Sequence, residues 1–131
     1  MTVETWVVGG AIRRAGEVLA AQRGPEMSLA GQWEFPGGKI EDDETPEQAL
    51  VRELEEELGV VVQVGGLVGR SVYETADRRL VLDVYWCEVR SGTLAPVEHS
   101  ELRWVPIAQL ADLDWAIADI PIVSLICDAG P

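Results

Sequence analysis

Residues 37–60, "GGKIEDDETPEQALVRELEEELGV", decide how this chain is read. Thr45, with Gln48 three residues on, makes a capping box, and Pro46 suits the first helical position. Gly59 stands where a left-handed C-terminal cap belongs. The spacing therefore predicts a helix from about Pro46 to Leu58. At about 100° per residue, Leu50, Val51, Leu54 and Leu58 share one face and must pack on a core. Glu53, Glu56 and Glu57, at i, i+3 and i+4, form a second stripe beside it. Arg52 lies one turn before Glu56 and can pair with it, while Glu55 points towards solvent.

The stripe is self-repelling, by roughly 0.2–0.5 kcal/mol for each like-charged pair three or four apart. A hard divalent cation removes that repulsion. Mg²⁺ takes oxygen ligands from one or two carboxylates together with substrate phosphates. Gly37 and Gly38 read as part of an irregular turn that brings backbone carbonyls near the helix. A solvated acidic face is the usual fate of a Glu-rich helix. Glycine pair, cap and spacing together favour a metal site, and the stretch lacks the alternating acids and central glycine of an EF-hand.

The chain has 131 residues, nearly half of them hydrophobic, and reads as one globular domain over 1–131. No apolar run approaches the ~20 residues of a membrane helix, and the N-terminus does not resemble a signal peptide. Cys87 and Cys127 are too few for a disulfide framework and read as small hydrophobes of a reduced cytoplasm. A net charge of −13 argues against nucleic acid as a partner. It leaves phosphorylated small molecules open, because bound cations invert local electrostatics.

Residues 6–12 and 17–23 read as strands joined at Arg14-Ala15-Gly16, and residues 26–38 as an irregular loop. Residues 60–74 and 79–90, rich in β-branched and aromatic side chains, read as longer strands. A short strand at 102–107 leads into one or two helical turns, and a final helix starts near Asp119 with Pro121 in its first turn. This order indicates an α+β or α/β sandwich.

Gly38, Glu44, Arg52, Glu53, Glu56, Glu57 and Gly59, with Leu54 and Val60 at aliphatic positions, resemble the Nudix box without departure. The likeness extends beyond the box. "AQR" at 21–23, "WEFPGGKIE" at 33–41, "EH" at 98–99, "LRWV" at 102–105 and "ADIP" at 118–121 are similar to the MutT branch, its CTP pyrophosphohydrolases as much as its oxidised-dGTP enzymes. The resemblance implies a mixed sheet sandwiched between helices, with the box as a loop–helix–loop. It implies metal ligation by Glu53, Glu56, Glu57 and the backbone of Gly37 or Gly38, with Arg52 orienting the carboxylates and Glu44 as an auxiliary ligand. It also implies a role for Glu98 at the metals or as general base, and substrate contacts from Arg23, Glu34, Phe35 and Asp119.

Some residues outside the box read from their own chemistry. His99, the only histidine, suits a structural or loop role, since carboxylates already supply the chemistry. Lys39, the only lysine, is a candidate phosphate contact. Trp6, Trp86, Trp104 and Trp115 read as core or pocket wall. The expected activity is Mg²⁺-dependent hydrolysis of a nucleoside triphosphate, Mn²⁺ substituting, by a monomer or weak dimer. Alternatives are a Nudix hydrolase of ADP-ribose or a dinucleoside polyphosphate, and a non-catalytic Nudix domain.

Overall fold

The computed structural model describes residues 2–129. Its frame is a mixed sheet of seven strands among these residues: β1 (Val3–Arg14), β2 (Glu17–Gln22), β3 (Trp33–Glu34), β4 (Gly37–Lys39), β5 (Val60–Glu74), β6 (Arg78–Gly92) and β7 (Glu101–Pro106). The main path runs β3-β2-β1-β6-β5, with β4 added to β1 and β7 to β2. Among the strands of the described residues only β1 and β6 pair in parallel with each other, from Val3↔Arg78 to Ile12↔Cys87. Helix α1 (Pro46–Leu58) precedes β5 and helix α2 (Ile120–Ala129) closes the described chain, after 3₁₀ helices at Ile107–Asp112 and Ile117–Asp119.

Runs of consecutive buried residues, Val8–Ile12, Val18–Ala21 and Val81–Val84, show that the central strands are covered on both faces. Alternation then sends neighbours to opposite layers. Ala11, Val18 and Ala20 join the α2 residues Ile122, Val123 and Ile126. Val8, Ile12 and Leu19 join Leu50, Leu54 and Leu58 of α1. The expected helix–sheet–helix sandwich is what the chain forms. No helix among the described residues is long and apolar enough to cross a membrane.

Helix α1 has the predicted limits. Both halves of the capping box are made, and Gly59 closes the helix at φ 72° with its N–H on the Glu55 carbonyl. Val51 is only partly buried, and Ala49 completes the apolar face instead. Two expectations are corrected. The glycine pair is strand, not turn: Val8↔Gly38 and Gly9↔Gly37 pair antiparallel. A Cβ on Gly37 would stand 2.8 Å from the Gly9 Cα, so only glycine lets β4 lie this close to β1. Trp6 is 39% exposed and lies under the Arg70 guanidinium rather than in the core, because it falls in the mostly exposed N-terminal part of β1, before the buried run that starts at Val8. Cys87 is buried as expected, while Cys127 is half-buried.

The Gly37 contact is testable. Gly37→Ala forces a methyl into main-chain atoms, and overpacking of this kind destabilises by roughly 1–3 kcal/mol or more. The expected outcome is a melting temperature lower by at least about 3 °C in a thermal scan.

Candidate active site

A cavity of about 850 Å³ brings together groups from across the chain. The carboxylate stripe of α1, the β4 backbone, Glu98, Arg23, Glu34, Phe35, Asp119 and Lys39 all line it. Glu44 is the one carboxylate of the motif set apart, because Arg52 holds it. The guanidinium donates from Nε to Glu44 Oε2 at 2.6 Å and from Nη2 to Oε1 at 2.8 Å. Arg52 pulls the Glu44 pKa down to about 2, against burial and with help from the Glu41 amide. Both Glu44 oxygens are thus engaged, which makes it the anchor of Arg52.

Arg52 also donates to Glu53 Oε1 at 2.9 Å and to the Lys39 carbonyl at 3.2 Å. The expected bond to Glu56 is present but longer, at 3.4 Å. One side chain therefore orients Glu53 and ties α1 to β4. The Glu53 carboxylate lies directly over Gly38, where a Cβ would stand 2.5 Å from Oε2. That close approach is what the second glycine allows.

Glu57 is the strained member of the stripe. Burial is the main cause that pushes its carboxyl up to about 8. His99 opposes this, Glu34 and Glu53 reinforce it, and the Gly37 amide pulls it back slightly. Positive charge beside a carboxyl so placed favours its ionised form. The donors are hard oxygens around open space, and among the described residues no three acidic, His or Cys side chains converge closely enough to hold an ion by themselves. Such a set fits a divalent cation that draws its remaining ligands from a substrate. The residues that could hold it are Glu53, Glu56 and Glu57 with the β4 backbone, and Glu98, whose loop is tied to α1 by the Val97 N–H on the Glu57 carbonyl at 3.2 Å.

The other end of the cavity is aromatic and polar. Phe35 stacks on Trp115, with centroids 4.7 Å apart and planes at 27°. Trp115 is fixed by its indole N–H on the Leu110 carbonyl at 2.7 Å. Asp119 is buried, and its Oδ1 accepts from the Phe35 N–H at 3.1 Å. The Asp119 side chain thus reaches across to the β3–β4 connection. Burial above all drives the Asp119 carboxyl up to about 7, the Phe35 amide and Arg23 opposing and Glu34 assisting.

Glu34 and Arg23 line this end but hold each other. Arg23 Nη1 donates to Glu34 Oε1, and its other nitrogens bond the Ser28 carbonyl and hydroxyl. The second Glu34 oxygen lies 2.7 Å from His99 Nε2, so His99 is buried within the wall. Burial lowers the His99 pKa most, yet the hydrogen bond and charge of Glu34 with the charge of Glu57 leave it raised overall. Lys39 is exposed at the rim, without an ion-pair partner among the described residues. Trp115, read from the sequence as core or pocket wall, is buried against Phe35, whereas sequence reading missed the lining by Tyr73, Thr75 and Arg78. These arrive through the parallel β1–β6 pairing and the packing of the last 3₁₀ turns, which leave no local spacing to read.

Comparison with known proteins agrees with this arrangement. The NUDIX domain model matches residues 4–126. The CTP pyrophosphohydrolase of Escherichia coli is 42% identical over 117 residues, covering 89% of this chain and 87% of that protein. The 8-oxo-dGTP diphosphatase of the same organism is 36% identical over 108 residues, covering 82% and 84%. The solution structure of MutT from methicillin-resistant Staphylococcus aureus covers 99% of this chain and all of that one, at 38% identity and a TM-score of 0.81. Nudix hydrolases generally need a divalent metal, which is the chemistry these donors suit. On the domain match and these identities, the chain belongs to the Nudix family.

Proposed function

We propose that this protein is an Mg²⁺-dependent nucleoside triphosphate pyrophosphohydrolase. It cleaves cytosine nucleotides such as dCTP, 5-methyl-dCTP and CTP, and 8-oxo-dGTP, to the monophosphate and pyrophosphate, as a monomeric single-domain enzyme of cytoplasmic nucleotide-pool sanitation. The observation that carries this reading is one cavity, acidic at one end and aromatic with a buried carboxyl at the other. Such a cavity matches a nucleotide lying lengthwise, polyphosphate on α1 and base beside Phe35 and Asp119. The 42% identical CTP pyrophosphohydrolase supports the substrate class.

Mg²⁺, when bound, supplies the positive charge that gathers the phosphate oxygens and makes an adjacent water more acidic, with Mn²⁺ as a substitute. The chain supplies the rest. Arg52 fixes Glu53 through Nη1, and Glu56 and Glu57 complete the anionic stripe. Glu98 or Glu53 takes the proton of the attacking water. The water oxygen joins the β-phosphorus as the bond from that phosphorus to the α–β bridging oxygen breaks, and the monophosphate leaves with that oxygen.

The test is hydrolysis in ¹⁸O-water with Mg²⁺ and with excess EDTA. The expected outcome is label in pyrophosphate alone and no turnover in EDTA. Label in the monophosphate alone would place attack at the α-phosphorus.

A further inference from the structure

We propose that His99 is a positioning residue: it clamps the loop bearing Glu98 onto Glu34 of β3, and so fixes the span between the base end and the phosphate end of the cavity. The proposal rests on the reading of Glu98 as a group acting at the phosphates. The loop itself is open, with residues 95–98 and Ser100 exposed, yet the His99 side chain is only 1% exposed. Its Nε2 lies 2.7 Å from Glu34 Oε2. A carboxylate oxygen only accepts, so Nε2 is the donor. Arg23 already holds the other Glu34 oxygen, and His99 therefore completes the fixing of Glu34.

The other ring nitrogen does not explain why the residue is histidine. Nδ1 is buried with no hydrogen-bond partner. Packing alone would select an apolar side chain here, because an orphaned buried polar atom is unfavourable. The bond from Nε2 is what the imidazole contributes. On either side of it the backbone is tied down: Val97 N–H donates to the Glu57 carbonyl at 3.2 Å, and Ser100 N–H to the Gln22 carbonyl at 3.0 Å. Glu98 lies between these ties, and among the described residues its own side chain has no ion-pair partner. Its place on the cavity is set by its neighbours, and His99 is the neighbour that reaches the wall formed by Glu34 and Arg23.

The experiment is steady-state hydrolysis of dCTP by wild type, His99→Asn, His99→Gln, Glu98→Gln and the His99→Asn/Glu98→Gln double variant, with melting temperatures for each. Asparagine is too short to reach Glu34, whereas the glutamine amide can donate in place of Nε2. His99→Asn should lower kcat about tenfold to a hundredfold with KM within about threefold, the scale expected of a misplaced catalytic group. His99→Gln should recover most of that loss, and the double variant should be no slower than Glu98→Gln alone. Wild-type kcat in His99→Asn, or losses that multiply in the double variant, would overturn the positioning role. Full activity of Glu98→Gln would instead overturn the reading of Glu98, so the two failures are separable. If His99→Asn melts too low to assay, a His99→Gln rate as low as that of Glu98→Gln overturns the proposal, and a near wild-type rate supports it.

Discussion

Glu53→Gln and Glu57→Gln are each expected to lower kcat about 10²–10³-fold, the range seen when one preorganised charge-stabilising group is removed. The reason lies in the geometry of the stripe. Glu53 is oriented by Arg52 over Gly38, and Glu57 is held among acids in a partly buried position. Glutamine keeps the shape of either side chain and removes the charge. Loss of the fold therefore does not account for the effect, and circular dichroism should be unchanged.

Glu57 adds a signature in stability. Its carboxyl is raised from 4.5 to about 8, so between these values the folded protein binds a proton that the unfolded chain has released. That contribution is complete below 4.5 and is lost as pH rises towards 8. In EDTA, the melting temperature of Glu57→Gln relative to wild type should climb across this window. Mg²⁺ should narrow the difference by stabilising wild type through its ionised carboxylate. A difference flat with pH in EDTA would mean that Glu57 is not the strained acid of the site.

Asp119→Asn is expected to shift substrate preference rather than abolish activity. Oδ1 of Asp119 already accepts from Phe35 N–H, which leaves the second oxygen to face a base. An ionised carboxylate only accepts, and so favours the exocyclic amino group of cytosine. An amide also donates, which suits the O6 of oxidised guanine. A buried hydrogen-bond mismatch is worth roughly 1–3 kcal/mol, so the kcat/KM ratio of dCTP to 8-oxo-dGTP should fall about tenfold to a hundredfold. The carboxyl is raised to about 7, mainly by burial. The wild-type ratio should therefore rise with pH through 7, as the protonated, donating form is lost, while that of Asp119→Asn should not. An unchanged ratio in the variant would show that Asp119 does not read the base.

Helix α1 can be read from the chain without its fold: its cap at Thr45, its end at Gly59, its apolar face and its acidic stripe. Each follows from interactions between residues within four positions of one another, which leave a spacing in the chain. The Nudix box is such a local pattern, so the family was legible before any fold. Tertiary structure alone decided that Gly37–Lys39 is strand, since its partners lie on β1. It decided too that Asp119 meets Phe35, 84 positions away, and that His99 meets Glu34, 65 positions away. Hydrogen bonds between elements impose no period on the residues that make them. They arise only once the parallel β1–β6 pairing and the packing of α2 have brought those segments to one cavity.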